Sequence, residues 1–312
     1  MIPALSPAAA VARVAWVVQR FYPTNMNIAL GIDSLCWHMR LASGAITIER
    51  VLENAASLGA PVVALNLHHV RERSVSELRE LRGRAQGLGL RLLAQGDFIG
   101  SPRRGDDVSI GVARIHEWVE RAAALASPSL RLVSGFYRTE LADKPELIET
   151  ERRYVSDVLA RASERASAAG VRLLLENHSD FTVDEYERIV RDVGSDRMGV
   201  FLDLINPIVT FDDPMRAIER LAPLASSGHI RDFELRSVQQ PDHYHRRGFE
   251  VLYRYPGEGA APITALVTKL KEVVGDRPYD LVIEGLDSLA DVDDQLERLS
   301  PALAYLRRLL IE

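Results

Sequence analysis

The sequence predicts an α/β protein with the architecture of a (β/α)8 TIM barrel. Short runs of leucine and β-branched residues alternate with longer amphipathic segments, which is typical of a parallel sheet with crossover helices. We count eight such pairs in about 285 residues, the usual length of this barrel. Since no stretch rich in proline, glycine or serine divides them, we expect a single domain, residues 27–312.

Residues 1–26 are interpreted as an N-terminal extension of the barrel. Their middle is weakly apolar, but a basic start and a clean small-residue cleavage site, which mark a secretory signal, are lacking. We interpret the segment as a helical appendage or as the product of an upstream start codon.

Each expected strand is a short, nearly continuous apolar run, as in strands that are buried on both faces. The run that begins at Val171 shows the pattern best, because it stops abruptly at the polar series Glu176, Asn177 and His178. The eight expected strands are Asn27–Asp33, Pro61–Leu67, Arg91–Gly96, Leu130–Ser134, Val171–Glu176, Gly199–Leu204, Gly228–Phe233 and Tyr279–Glu284.

The segments between these runs are amphipathic and carry helix signals. Thr182 followed by Glu185, for example, is the sequence of a capping box. The expected helices are Thr47–Leu58, Val75–Gly87, Val108–Ala126, Pro145–Ala169, Val183–Asp192, Pro214–Ala225, Pro262–Val274 and Val292–Leu310.

One long irregular interval, Glu234–Ala261, follows the seventh strand. It contains the turn PGEG at Pro256–Gly259 and a cluster of basic residues. Connections of this length in a compact domain are usually functional, so we expect a lid or a substrate-binding loop. The basic cluster comprises His243, His245, Arg246 and Arg247.

Composition limits the class of partner. The formal charge of −6 and the pI near 5.8 argue against nucleic acid and anionic membranes, which bind clustered basic surfaces. No apolar run approaches the roughly 20 residues of a membrane helix. The single cysteine, Cys36, excludes an internal disulfide and favours a cytoplasmic protein, in which it is a buried apolar residue.

Four late strands end in residues that can bind a metal: Glu176, Asp203, His229 and Glu284. Any one alone is equally well explained as a helix cap or a solvated loop charge. Their recurrence at the same end of four successive strands predicts a shared site at the mouth of the barrel. Three carboxylates and one imidazole suit Mn²⁺, Mg²⁺ or Co²⁺, with Zn²⁺ as an alternative.

These motifs resemble those of the xylose isomerase-like barrel superfamily of sugar isomerases and epimerases. The superfamily also contains inosose dehydratase-type lyases and endonuclease IV. The resemblance extends from about Ile28 to Leu310, and it implies a divalent cation, Mn²⁺ first, held by the four strand-end residues named above. Its most specific parts are ENHSDFT at Glu176–Thr182, DLIN at Asp203–Asn206, HIRD at His229–Asp232 and GEG at Gly257–Gly259.

Two departures from the family bear on the substrate. Asn206 stands where epimerases of free ketohexoses commonly have histidine, and Arg231 replaces the lysine of the usual HxKD. Because arginine offers a planar fork to carboxylate or phosphate, an acidic or oxo-acid sugar becomes plausible. We expect both residues to contact the substrate.

Other polar residues near the expected strand ends are candidates for the same site. His178 is a candidate general base, or else a hydrogen-bond partner of a ligand carboxylate. His68 and His69 follow the second strand and are candidate contacts to substrate hydroxyls. Glu258 is either a residue of the glycine turn or, if it points inward, a further substrate contact.

The expected activity is isomerisation or epimerisation of a small sugar or sugar acid in carbohydrate metabolism. Glu176 and Glu284 would take and return a proton next to a carbonyl, through a metal-stabilised enediolate. A lyase, dehydratase or decarboxylase acting on an oxidised sugar is the alternative.

Two further classes are more distant: a DNA-repair enzyme like endonuclease IV, and a barrel without catalysis. The first needs a three-metal site rich in histidine and a basic track for phosphates, whereas this chain has 8 histidines and a net negative charge.

A homo-oligomer is compatible with the sequence.

Overall fold

Eight parallel strands close into a barrel in the computed structural model, which describes residues 27–194, 196, 198–237, 249–286 and 295–312. The expected N-terminal extension lies outside these residues. The barrel strands are β1 (Ile28–Asp33), β2 (Val62–Asn66), β3 (Arg91–Phe98), β4 (Ser129–Val133), β5 (Arg172–Glu176), β6 (Met198–Phe201), β7 (Ala225–Ile230) and β10 (Tyr279–Ile283).

Each barrel strand pairs with its predecessor in this series, and β10 closes the ring against β1. Two more strands, β8 (Asp232–Ser237) and β9 (Phe249–Arg254), form a separate antiparallel pair after β7. The predicted (β/α)8 TIM barrel is therefore confirmed.

Helices cover the outside of the barrel between successive strands, as the right-handed crossover of parallel strands requires. Within the described residues, no helix has the length and apolar character that a membrane crossing would require. The helices are α1 (His38–Ala42), α2 (Ile48–Ser57), α3 (Val75–Gly87), α4 (Val108–Ala124), α5 (Glu146–Ala168), α6 (Val183–Val193), α7 (Pro214–Leu221), α8 (Ile263–Val274) and α9 (Gln295–Ile311).

The barrel interior is apolar in its lower part and polar at the mouth, where the carboxyl ends of the strands lie. Val62, Ala64, Leu93 and Val282 form a small buried apolar cluster inside the barrel, separate from the large core that packs the helices. Because side chains two residues apart in a strand share one face, Glu284 lies on the same side as Val282, toward the carboxyl end. Strand alternation therefore places polar side chains at the mouth.

Gly228 in β7 allows β6 and β7 to approach closely. A Cβ atom at this position would lie 1.9 Å from the carbonyl oxygen of Leu202 and 2.5 Å from the hydroxyl of Tyr279. The approach brings the following residue, His229, to the barrel interior, where it is fully buried.

The seventh strand and the interval after it differ from the sequence prediction. The predicted strand Gly228–Phe233 divides at Arg231, because β7 ends at Ile230 and β8 turns out of the barrel to pair with β9. The expected irregular interval Glu234–Ala261 therefore contains regular structure in its described part. The four basic residues expected in it lie outside the described residues.

Asp232 holds the glycine turn that follows β9. Its carboxylate accepts hydrogen bonds from the backbone N–H groups of Gly257, Gly259 and Ala261, at 3.1, 3.0 and 2.8 Å. Gly257 has a φ of +94°, a conformation that glycine adopts at no steric cost. The HIRD and GEG motifs are thus two halves of one structural unit.

Candidate metal centre and cleft

The four predicted metal ligands meet at the mouth of the barrel. One ring nitrogen of His229 faces two of the carboxylates: its Nδ1 atom lies 3.4 Å from Glu176 Oε1 and 3.5 Å from Glu284 Oε1. Glu176, Asp203 and His229 offer ligand atoms within 4.8 Å of one another. All four side chains are buried.

Asp203 presents one oxygen to the backbone and leaves the other without a hydrogen bond. Its Oδ1 atom accepts the N–H groups of Ile205 and Asn206, both at 2.7 Å. Its Oδ2 atom is buried and has no hydrogen-bond partner among the described residues, although Arg231 Nη2 lies 3.4 Å away. A buried carboxylate oxygen in this state is costly unless a ligand satisfies it.

Asn177 fixes the position of Asp203 from the neighbouring strand. Its side-chain amide donates to the carbonyl of Asp203 at 2.8 Å, and its Oδ1 accepts the N–H of Asp203 at 2.7 Å. The asparagine of the ENH motif therefore joins the ends of β5 and β6.

The sequence analysis missed Asp33, at the end of β1. Asp33 Oδ2 lies 3.0 Å from His229 Nε2, the ring nitrogen that faces away from Glu176. Asp33, His229 and Glu284 form a second group of ligand atoms within 4.8 Å. Asp33 also ends an apolar run, which is the same sequence signal that marks Glu176, Asp203 and Glu284.

Two buried arginines accompany the carboxylates. Arg131, within β4, contacts Glu176 through both Nε and Nη2, and its Nη1 donates to the carbonyl of Gly96 at 3.3 Å. Arg231, directly after β7, contacts Glu284 through Nη1. The sequence analysis missed Arg131, whose isolated charge inside a buried strand was the available signal.

The charges of this group shift the pKa values within it. Burial acts to raise the pKa of Glu176, but the charge of Arg131 and the contact with His229 outweigh burial and hold this pKa well below its usual range. Burial acts to lower the pKa of His229, but the carboxylates of Asp33 and Glu176 outweigh burial and raise it.

The residues present fit a divalent cation. Among the described residues around His229, two buried guanidiniums, Arg131 and Arg231, face four buried carboxylates: Asp33, Glu176, Asp203 and Glu284. The carboxylates outnumber the guanidiniums by two, an excess of negative charge that a divalent ion would balance. The unsatisfied Oδ2 atom of Asp203 is the clearest single sign of a missing partner.

A cleft of about 250 Å³ opens above this group. Aromatic rings of Phe98, Tyr137 and Tyr253 line it, together with His178, whose ring centroid lies 5.4 Å from that of Tyr137. Burial lowers the pKa of His178 to about 4, so this imidazole is neutral at neutral pH. The structure thus places His178 in the wall of the cleft.

His68 and His69 form a separate histidine cluster next to the cleft. His69 Nε2 lies 3.0 Å from His38 Nδ1, and its Nδ1 lies 3.0 Å from Ser34 Oγ, whereas His68 is exposed. Burial lowers the pKa of His69 to about 4. Neither predicted histidine is among the described residues that line the cleft, although Asn66, just before them, is.

The other three predicted substrate contacts divide into two groups. Asn206 and Arg231 belong to the buried group, where the Nδ2 atom of Asn206 lies 3.4 Å from Glu176 Oε1. Glu258 instead pairs with Arg298 at 2.8 Å, and it is not among the described residues that line the cleft. The structure thus presents Glu258 as a turn residue.

Sequence comparison identifies a family profile. The profile described as xylose isomerase-like TIM barrel matches residues 52–306. No curated protein matches the chain in sequence.

Solved structures share the fold over nearly the whole chain at low identity. D-psicose 3-epimerase from Clostridium cellulolyticum H10 is 18% identical, with a TM-score of 0.69, and the match covers 90% of this chain and 99% of that one. The zinc-bound IOLI protein is 16% identical, with a TM-score of 0.68 and coverage of 89% and 98%. The probable 3-DHS dehydratase AsbF from Bacillus anthracis is 13% identical, with a TM-score of 0.66 and coverage of 89% and 98%.

Proposed function

Because the chain belongs to the xylose isomerase-like TIM barrel family, we propose that it is a divalent-metal-dependent sugar isomerase or epimerase. It would move a proton on a carbon next to a carbonyl, through an enediolate of the substrate. The observation that carries the proposal is the buried group around His229, with its unsatisfied Asp203 oxygen. Neighbours by fold that are themselves named sugar epimerases support it.

Glu176, Asp203, His229 and Glu284 are the residues proposed to hold the cation. An oxygen-rich set of this kind favours Mn²⁺, with Mg²⁺, Co²⁺ and Zn²⁺ as alternatives. When bound, the ion would supply Lewis-acid chemistry, polarising a carbonyl oxygen and stabilising the negative charge that develops there.

Glu176 and Glu284 are the proposed proton carriers. Their Oε1 atoms both lie within 3.5 Å of His229 Nδ1, and in this proposal one carboxylate takes a proton from the substrate and the other returns it. Return to the neighbouring carbon gives an isomer, and return to the opposite face gives an epimer. His178, at the cleft wall, is the third proposed catalytic residue.

The cleft itself would orient the sugar and exclude water. The aromatic wall lowers the local dielectric constant, which strengthens the contacts made by Asn206 and Arg231. His68 and His69, which follow the cleft residue Asn66, are proposed to contact substrate hydroxyls at the edge of the cleft. Glu258 would have to leave its pair with Arg298 to act in this way.

A direct test measures metal binding and proton exchange separately. Metal-depleted protein is titrated with Mn²⁺ in a calorimeter, and a panel of keto-sugars is then incubated with loaded protein in D₂O. We expect saturable Mn²⁺ binding and deuterium on the carbon next to the carbonyl. The proposal is contradicted if the protein binds no divalent ion. It is also contradicted if the rate of sugar turnover is the same with and without excess chelator.

A metal-dependent lyase, dehydratase or decarboxylase of an oxidised sugar is the second candidate. Arg231 favours it, because a guanidinium in the cleft suits a keto-acid or oxo-acid sugar. In the same panel, release of water or CO₂ in place of an isomeric sugar would identify this reaction.

The proposed partner is a small-molecule sugar or sugar acid. Neither nucleic acid nor membrane is expected as a partner, since the net charge is −6. Cytoplasmic location and homo-oligomerisation remain predictions.

A further inference from the structure

Arg231 occupies the cleft as a buried, oriented guanidinium. It is 6% exposed, and it lines the cleft beside Tyr253 and Glu284. Its Cζ atom lies 4.6 Å from the ring centroid of Tyr253, a distance at which the guanidinium plane stacks favourably on the aromatic face. Tyr253 therefore limits how the guanidinium can rotate.

The hydrogen bonds of Arg231 are incomplete. Its Nη2 atom donates to Asn206 Oδ1 and lies 3.4 Å from Asp203 Oδ2, while Nη1 contacts Glu284. Its Nε atom is buried and has no hydrogen-bond partner in the described part of the chain. A buried N–H of a charged group that is left unpaired costs more than a neutral one.

Arg131 provides the contrast. Its Nε and Nη2 atoms both contact Glu176, and its Nη1 atom donates to the carbonyl of Gly96. All three of its nitrogens are thus in use within the protein. Arg131 has the arrangement of a residue that positions a carboxylate, whereas Arg231 retains a donor for a ligand.

We propose that Arg231 binds the carboxylate of the substrate, so that the substrate is a small sugar acid or oxo-acid. This inference rests on the proposed function, and it names the substrate class of the same site. The unpaired Nε–H of Arg231 can donate a charge-assisted hydrogen bond to this carboxylate in the plane of the guanidinium, a fixed direction that the lysine of the usual family motif does not impose.

Size and charge favour a monocarboxylate over a sugar phosphate. The cleft volume of about 250 Å³ lies below the roughly 300–1,000 Å³ of sites for drug-sized ligands, so the ligand is small. A carboxylate also brings about half the negative charge of a phosphate, which is close to a dianion at neutral pH, into a site that already holds four buried carboxylates.

The test compares D-ribonate with ribitol, which share five carbons and a row of hydroxyls but differ in the carboxylate. Neither carries a carbonyl that could react, so binding is measured without turnover, by calorimetry on metal-free and on Mn²⁺-loaded protein. We expect the wild type to prefer D-ribonate by about tenfold or more, and Arg231→Gln to lose most of this preference. Arg231→Lys, which keeps the charge without the fork, should be intermediate.

Arg131→Gln is the matched control, because it also removes a buried guanidinium from a ligand carboxylate. Because Arg131 also lines the cleft, its loss should weaken binding of both compounds, but it should lower the ratio of D-ribonate to ribitol affinity much less than Arg231→Gln does. Circular dichroism and thermal unfolding confirm that each variant is folded, and if Arg231→Gln is not, Arg231→Lys provides the comparison.

The two possible failures are distinguishable. Absence of Mn²⁺ binding in the wild type counts against the proposed function. The ratio of D-ribonate to ribitol affinity in metal-free protein then decides this inference. A ratio that is the same in wild type and Arg231→Gln, in both forms of the protein, overturns the inference. Arg231-dependent binding of D-ribose 5-phosphate without binding of D-ribonate also overturns it.

Discussion

The carboxylate of Asp232 accepts a hydrogen bond from the backbone N–H of Gly259 at 3.0 Å, joining two motifs that lie 27 residues apart in sequence. Asp232 begins β8, and the glycine turn follows β9, so this bond closes the base of the hairpin that carries Tyr253 to the cleft. The acidic residue of HIRD is therefore a structural anchor beside the site.

Replacing Asp232 by alanine should destabilise the protein strongly, because the backbone N–H groups of Gly257, Gly259 and Ala261 would lose a buried, charged acceptor. We expect a loss of about 2–5 kcal/mol in the free energy of unfolding, measured in urea. Asp232→Asn, which keeps one acceptor oxygen, should lose less. Equal stability of Asp232→Ala and wild type would show that water can replace the anchor.

Gly259→Ala should strain the same unit. The added Cβ atom would lie 2.4 Å from both Asp232 Oδ1 and the carbonyl oxygen of Phe233, so the turn must shift, at a cost of about 1–3 kcal/mol in the free energy of unfolding. Gly83→Ala is the control, because Gly83 lies within α3 and no described atom is within 4 Å of the new Cβ. That substitution should be neutral or stabilising. Equal losses in the two variants would argue against the clash.

Glu284→Gln should abolish turnover and weaken Mn²⁺ binding about 100-fold or more, since even residues outside the ligand set cost 10–100-fold when changed. Calorimetry with Mn²⁺ and deuterium exchange into the substrate provide the two readings, and circular dichroism should show an intact fold. Glu187→Gln, which alters a carboxylate paired with Arg220 on the surface, should leave the Mn²⁺ affinity and the deuterium exchange unchanged. Full activity of Glu284→Gln would exclude the proposed metal centre.

Asn177→Asp should weaken metal binding without touching a proposed ligand. The new carboxylate is nearly isosteric, but it cannot donate to the carbonyl of Asp203, 2.8 Å away, and it adds negative charge to the group. We expect a loss of about 1–3 kcal/mol in stability, together with a 10–100-fold weaker affinity for Mn²⁺. An affinity equal to that of wild type would mean that Asp203 keeps its position without this bridge.

Stability should fall as the pH falls from about 6.5 to about 4, in part because of His69. Its pKa is about 4 in the folded protein against an ordinary value of 6.5, so unfolding takes up a proton in this interval. The contribution is fully present above pH 6.5 and is lost toward pH 4, with a slope of at most about 1.4 kcal/mol per pH unit. Urea unfolding at a series of pH values measures this slope.

His69→Gln is the variant that isolates this contribution, because His178 titrates in the same interval. The stability difference between wild type and variant should be constant above pH 6.5 and should shrink as the pH falls. A difference that does not depend on pH would show that His69 is not held neutral by the fold.

The strand-end rule accounts for what the sequence predicted of the site. Glu176, Asp203 and His229 converge because parallel strands place their carboxyl ends side by side. Arg131 was not predicted, because a single charge in the run SLRLV resembles an interruption of an apolar strand. Strand alternation in fact points the Arg131 side chain into the barrel, beside Glu176.

Long-range pairing explains what the sequence did not predict. The hairpin of β8 and β9 depends on a register between Asp232 and Arg254 that no local pattern specifies. Likewise, the glycine turn was recognisable, but its partner Asp232 was not, because the bond spans 27 residues. His69 was placed correctly after the second strand, yet its contacts with His38 and Ser34 come from the preceding strand–helix unit.

The apolar cluster of Val62, Ala64, Leu93 and Val282 fills the barrel interior beneath the carboxylates. Among the described residues, the cleft above is therefore the open approach to the carboxylates. We therefore expect a species that binds at the level of His229 to arrive before a ligand that fills the cleft and to depart after it. The buried apolar cluster below the site thus predicts that the cation binds before the cleft ligand and leaves after it.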